Sequence, residues 1–243
     1  AIAVDTEHYK TRVVALSEGT LLQETIINGP PTPPAGFALQ RQAVSLPEPN
    51  SAMGTNTLTT VPAYNWVYGC SAVSGSMIAA YYDPNGYPNI YTGPTNGGVM
   101  PMDNSAWPTW SDGSATYPNL PLAASRNGVD GRSGRGSIDD YWVSYGSTAS
   151  DPYITNGWTQ HTWSDAIGDY MKTSQSAAGN DDGSTVFWSY NSSTPLNCTS
   201  MPGLGISNDG TAGRKAFYEA RGYTVTDCYN QKTDNTISGG FSL

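Results

Sequence analysis

The sequence predicts a mixed fold of helices and strands, because different segments carry different patterns. Residues 10–29 hold two β-rich runs around a polar Ser-Glu-Gly turn, which is typical of a hairpin. Residues 70–82 carry apolar side chains at helical spacing. Residues 211–221 predict a helix that ends at Gly222, and residues 223–230 follow it as a strand.

Apolar periodicity also predicts which side chains the helices bury. The helix at residues 70–82 is expected to turn inward the following side chains: Val73, Met77, Ile78 and Tyr81. A second helix is predicted at residues 163–174, with Ser164 as its N-cap and Asp165 in its first turn. Its inward side chains are expected to be Ala166, Ile167, Tyr170 and Met171.

Proline and polar turns divide the chain into two parts. The stretch GPPTPPAG at residues 29–36 excludes a helix or an inner strand and predicts a polyproline-like connector. Residues 45–60 resemble another loop. We therefore expect residues 1–60 to form a hairpin arm with a proline-rich connector, packed on a main domain of residues 61–243.

The composition is that of a secreted or cell-surface protein. Charged residues make up 13% of the chain, about half of the usual ~25%. The net charge is −9 without any basic run, which argues against a nucleic-acid partner. No apolar stretch approaches the ~20 residues that span a bilayer. The chain starts at Ala1, which we interpret as a processed mature end; an engineered start is the alternative.

Three cysteines leave one thiol over if the protein is secreted. Cys198 and Cys228 lie in polar surroundings, and we expect them to form a disulfide that leaves Cys70 free. Three free thiols in a reducing compartment are the alternative. In GCSAVS, Cys70 stands where the predicted helix begins, so backbone N–H groups and the helix dipole could stabilise a thiolate. A buried structural cysteine explains this short motif about equally well.

Longer motifs resemble a known family. The stretch VPAYNWVYGCSAVSGSMIAAYYDPNGYPN, together with GVDGRSGRGSIDDYW, DPYITNGWTQHTWSDAIGDYMKTSQ and RGYTVTDCYNQ, is similar to secreted bacterial papain-like cysteine peptidases of the bacteriocin-leader-peptidase branch. The resemblance covers roughly residues 60–240. It implies a papain-like α+β fold with the helical N-terminal half largely present and the β-rich C-terminal half incomplete. It also implies hydrolysis of a peptide or protein substrate with Cys70 as the nucleophile.

The resemblance leaves the catalytic base unassigned. A papain-type histidine follows the cysteine by ~130–150 residues, on a strand of the second half, and this chain has only His8 and His161. Ser137 stands where relatives are expected to carry histidine. His161 lies between two tryptophans, where packing or capping competes with a role as base. Asn65 stands near the expected oxyanion glutamine and is a weak candidate for that role.

Three explanations account for the missing base. The chain is a truncated piece, or a second chain supplies the histidine, or the fold is a pseudoenzyme. In the first two cases the peptidase base lies outside this chain. If residues 223–230 form an open strand edge, a second chain or a homo-oligomer is expected to complete the sheet. In the third the protein is a non-catalytic extracellular structural, self-assembling or binding protein. Tyrosines, 16 in all, in loops rich in Gly and Asn support this alternative.

Oxygen-rich turns occur at residues 83–89, 180–185 and 207–210. None has the spacing of an EF-hand, and ordinary turns need the same residues. Asp181 and Asp182 are the candidate ligands for a structural calcium ion, and we expect no cofactor to be required.

Overall fold

The computed structural model describes part of the chain. The described residues are 2–5, 9–16, 19–27, 58–64, 69–91, 98–106, 109–111, 116–118, 122–123, 166–174, 178–180 and 183–232. Their strands are β1 (Ile2–Asp5), β2 (Tyr9–Ala15), β3 (Leu21–Ile27), β4 (Thr109–Ser111), β5 (Thr116–Pro118), β6 (Thr185–Tyr190), β7 (Leu196–Asn197) and β8 (Tyr229–Asn230). Their α-helices are α1 (Cys70–Tyr82), α2 (Ile167–Met171) and α3 (Gly210–Ala220). Mixed helix and strand, as the sequence predicts, is therefore the fold class of these residues.

The predicted N-terminal hairpin is confirmed, and it belongs to a larger sheet. β2 and β3 pair antiparallel from Tyr9 opposite Ile27 to Ala15 opposite Leu21. β3 also pairs antiparallel with β6, which gives a four-stranded sheet in the order β1-β2-β3-β6. Backbone hydrogen bonds thus connect the predicted arm to a strand of the region that follows it.

Helix α1 begins and ends where the sequence predicts, but its buried face is different. Val73 is buried as expected, whereas Ile78 is 47% exposed, so the prediction of an inward Ile78 was wrong. Met77 and Tyr81 are half-buried. The other buried residues are small: Ala72, Gly75, Ser76, Ala79 and Ala80. Small side chains let α1 pack closely on its neighbours, and this leaves its larger side chains at the margin.

Helix α2 is shorter than predicted. It spans Ile167–Met171 and stops because Lys172 adopts the left-handed conformation, with φ of 54°. Ala166 occupies the N-cap position, and its N–H donates to the Asp169 carboxylate at 3.3 Å. The predicted cap Ser164 lies outside the described residues. The expected burial of the following residues is confirmed: Ala166, Ile167 and Met171.

Helix α3 matches its prediction to within one residue, but the strand after it does not. Gly222, with φ of +86°, follows the helix and lets the chain reverse. Of the predicted strand at residues 223–230, only Tyr229–Asn230 joins a ladder, with β7. Residues 223–228 belong to no helix or strand.

Two apolar clusters form the core. The larger lies among the three helices and includes Val73, Ile167 and Phe217. The smaller lies between the sheet and β7, and includes Leu22, Leu196 and Met201. None of the helices in the described part of the chain is long and apolar enough to cross a membrane.

Candidate functional site

Cys70 is the first residue of α1 and a free, half-buried thiol. The chain enters the helix at Gly69, whose carbonyl accepts from the N–H of Val73 at 3.2 Å. Among the described residues, no side chain caps this end of α1. The N–H groups of the first turn therefore lie beside the thiol, since Cys70 is at the helix start that the sequence predicts.

Gly69 is required by close packing at this helix end. A methyl group on Gly69 would overlap the carbonyl oxygen of Gly183 and the methyl of Thr173, and the backbone φ of +156° also disfavours other residues. The glycine before the cysteine thus lets the end of α1 lie directly against two other segments.

A group of buried hydroxyls surrounds that contact. The hydroxyls of Thr173 and Thr185 are hydrogen-bonded at 2.7 Å, and the N–H of Gly183 donates to Ser174 Oγ at 3.1 Å. The N–H of Ser174 donates to the carbonyl of Ser184 at 2.9 Å. These groups are polar but do not titrate near neutral pH, so they fix the helix end without supplying a base.

Burial of the Cys70 thiol favours its protonated form. Burial raises its pKa above the ordinary thiol value, and hydrogen bonds from Ser71 lower it by less. The described residues include no histidine. The site as described can present a thiol to a substrate, but the proton must be taken by a group outside these residues.

Several predicted site residues cannot be located relative to Cys70. His161, Asn65, Asp181 and Asp182 lie outside the described residues, as do His8 and Ser137. Of the predicted catalytic and calcium-binding residues, the structure therefore describes only Cys70.

The predicted disulfide is present. Cys198 and Cys228 are bonded, with Cα atoms 5.4 Å apart. The N–H of Cys198 also donates to the carbonyl of Cys228 at 2.9 Å. The bridge continues the short β7–β8 ladder and ties residues 223–229 to the smaller apolar cluster.

Two of the three oxygen-rich turns have structural explanations. The carboxylate of Asp83 accepts from the N–H groups of Tyr91 and Met100, both at 2.9 Å. Asp209 caps α3 by accepting from the N–H groups of Thr211 and Ala212. Within the described ranges, no group of three or more His, Cys, Asp or Glu side chains is arranged to hold a metal ion.

A second feature lies towards the far end of α1. A cavity of about 580 Å³ opens between the C-terminal part of α1, helix α3 and residues 223–229. Five tyrosines line it, and we call it the tyrosine cavity: Tyr82, Tyr87, Tyr218, Tyr223 and Tyr229. Ile78 and Arg214 also line it. Since Ile78 follows Cys70 by eight residues and a helix rises ~1.5 Å per residue, the cavity begins ~12 Å along α1 from the thiol.

Edge-to-face contacts hold one wall of this cavity together. The ring of Tyr87 lies 5.6 Å from that of Tyr82 and 5.2 Å from that of Tyr223, centre to centre. The N–H of Asn89 donates to the Tyr223 hydroxyl at 2.9 Å. The sequence analysis missed this cavity because its residues are separated by more than a hundred positions. The high tyrosine content was the available signal.

Comparison with known proteins leaves the site to be interpreted from its own geometry. No family model, curated protein or solved structure matches this chain.

Proposed function

We propose that this protein is a secreted cysteine-peptidase-like protein of papain-like fold, with Cys70 as its nucleophile and a base supplied from outside this chain. One observation carries the proposal: the unpaired thiol is the first residue of a 13-residue helix, entered through a glycine. The disulfide between the other two cysteines supports an oxidising, extracellular location. The motifs similar to secreted papain-like peptidases point the same way.

The proposed reaction needs one proton acceptor. The base removes the proton of the Cys70 thiol, and the sulfur attacks the carbonyl carbon of a peptide bond. The amine leaves with that proton, and a thioester to Cys70 remains. Water then hydrolyses the thioester, which releases the acid and restores the thiol. The N–H groups at the start of α1 are suitably placed to stabilise the oxyanion.

Chemical rescue tests this assignment. The folded protein is incubated with an activated peptide thioester, with and without imidazole as an external base, and acyl-Cys70 is measured by peptide mass spectrometry. We expect slow acylation that imidazole accelerates, since general-base help is worth ~10²–10⁴-fold in enzymes. Cys70→Ser, which has no thiol to transfer to, should give no acyl-thioester.

Two results would change the proposal. Fast acylation without imidazole, abolished in His161→Gln, would place the base within this chain. Cys70 that stays unmodified in the folded protein, at every imidazole concentration, would reject a peptidase role.

The second candidate is a non-catalytic extracellular binding protein on the same fold. Two observations favour it: burial raises the pKa of Cys70, and the tyrosine cavity lies away from the thiol. An inert Cys70 in the rescue experiment would make this the better description.

A further inference from the structure

Part of the lining of the tyrosine cavity is exposed and apolar. Four of its lining side chains are between 44% and 47% exposed: Ile78, Tyr82, Tyr87 and Tyr229. Contiguous exposed apolar residues in a soluble protein mark contact surfaces for other molecules. A cavity of about 580 Å³ lies within the range of ligand sites and would accept a few amino-acid side chains.

One wall of the cavity is an unpaired stretch of backbone. Residues 224–227 line it, and none of them makes a hydrogen bond or ion pair within the described part of the chain. They run directly into β8, which pairs with β7, and the disulfide at Cys228 fixes their far end. A fixed segment with free N–H and C=O groups, continuous with a strand, is a template for adding a further strand.

A guanidinium provides charge selectivity. Arg214 lines the cavity and has no ion-pair or hydrogen-bond partner in the described part of the molecule. Its neighbour Lys215 is already paired with Glu219. Burial raises the pKa of Tyr218, and the positive charge of Arg214 lowers it by less. An unpaired arginine in a chain of net charge −9 favours a carboxylate on the ligand.

We propose that an extended polypeptide segment of another protein docks along residues 224–227, with an apolar side chain in the tyrosine cavity and a carboxylate on Arg214. Backbone pairing supplies general affinity for an extended chain, and the cavity and the guanidinium select its side chains. This surface is separate from Cys70 and does not depend on the proposed peptidase chemistry.

The proposal is tested by comparing the binding of peptides with normal and N-methylated backbones. The probes are four fluorescein-labelled peptides of the sequence Thr-Val-Xaa-Val-Glu amide, in which Xaa is Leu, Ile, Phe or Tyr. Their binding is followed by fluorescence polarisation. We expect saturable binding by at least one peptide below about 1 mM. N-methylation of alternate amides removes backbone donors while keeping the side chains, and it should weaken binding at least about tenfold.

Matched variants assign the binding to this surface. Arg214→Gln should weaken the binding of the peptide that ends in Glu about tenfold. It should not change the binding of the same peptide with Lys in place of Glu. Lys10→Gln, on strand β2, removes one positive charge elsewhere and should have no effect. Ile78→Ser removes exposed apolar surface without disturbing the core, and should also weaken binding. Cys70→Ser should leave the affinity unchanged, so a failed peptidase proposal and a failed docking proposal are distinguishable.

Hydrogen exchange of the amides of residues 224–227 shows whether the surface is free, covered by the chain itself or covered by a second copy. In the free protein these amides should exchange rapidly, and the bound peptide should slow them. Slow exchange in the free protein at every concentration would mean that the chain covers the surface itself. Protection that grows with protein concentration would mean that a second copy does. Either result, or the absence of peptide binding up to about 1 mM, would overturn the proposal.

Discussion

At the scale of single residues, the carboxylate of Asp209 accepts four hydrogen bonds from described residues. One of its oxygens accepts from the N–H groups of Thr211 and Ala212, both at 2.9 Å, and caps α3. The other accepts from the N–H of Trp188 and the side-chain amide of Asn230, both at 2.7 Å. This side chain therefore joins α3, β6 and β8 at one buried point.

Replacing this carboxylate tests its role in stability. In Asp209→Asn, an amide NH₂ faces two of the four donors, and buried donors without acceptors cost roughly 1–3 kcal/mol. We expect the free energy of unfolding, measured by urea denaturation, to fall by about that amount. Asp103→Asn is the control, because Asp103 is exposed and its carboxylate accepts, among the described residues, only from Ser105. Equal effects of the two substitutions would contradict the role given to Asp209.

The thiol of Cys70 predicts a dependence of stability on pH. Burial raises its pKa, so the folded state holds the thiol proton to a higher pH than the unfolded state. The free energy of unfolding should be unaffected by this group below the unfolded thiol pKa of about 8.5, and should fall as the pH rises from there towards the folded pKa.

The difference between the wild type and Cys70→Ala isolates this effect, because the titrations of the tyrosines cancel. We expect the stability of the wild type, measured by denaturation at several pH values, to fall relative to that of Cys70→Ala as the pH rises above about 8.5. If the wild type instead became more stable relative to Cys70→Ala as the pH rises, the fold would stabilise the thiolate. That result would indicate a base or cation near Cys70.

At the scale of helices and strands, sequence patterns located elements better than they located contacts. The bounds of α1 were predicted, because apolar residues recur through it. Its buried face was predicted only at Val73, because the other buried residues are alanine, glycine and serine, which give no apolar stripe. Residues 223–230 have the composition of a strand, but only Tyr229 and Asn230 pair with another described strand. The sequence of a strand does not show which strand it pairs with.

The same reasoning applies to the candidate site. The local motif around Cys70 predicts its position at a helix start. The count of three cysteines, together with their surroundings, predicts the pairing of Cys198 with Cys228. The tyrosine cavity depends on how α1 and α3 pack, so its residues are not neighbours in the sequence. Asp209 was grouped with calcium-like turns because a turn and a helix cap favour the same residues. Only the α3 backbone beside it distinguishes the two.

Close contact between α2 and α3 depends on Gly213. A methyl group there would overlap the carbonyl oxygen of Tyr170 and the backbone of Met171. Gly213→Ala improves helix propensity by ~1 kcal/mol, but overpacking of a dense core costs typically 1–3 kcal/mol. We expect a net loss of stability, seen as a lower melting temperature.

Gly203→Ala is the matched control for this substitution. Its new methyl group would meet no atom within 4 Å in the described structure, so the melting temperature should be unchanged or slightly higher. A rise in melting temperature for Gly213→Ala would mean that the two helices can separate at little cost.

At the scale of the whole molecule, the disulfide connects the smaller apolar cluster to the wall of the tyrosine cavity. Cys198 lies in the smaller apolar cluster, and Cys228 lies on the wall of the tyrosine cavity. Within the described part of the chain, residues 224–227 of the cavity wall make no hydrogen bonds, so their position depends on their ends: Gly222 after α3, and Cys228 before β8. Cys70, at the other end of α1, does not share this dependence.

Removing the bridge should therefore lower stability and peptide binding together. The two cysteines are 30 positions apart, and the closure of such a loop is worth roughly 3–4 kcal/mol in the chain-entropy model. We expect the double variant Cys198→Ser and Cys228→Ser to lose about that much in denaturation. Residues 224–227 should also lose their fixed path, so the glutamate peptide should bind more weakly. Cys70→Ser should change neither quantity. If the double variant lost stability but kept full peptide affinity while still folded, the bridge would not be what holds residues 224–227 in place for docking.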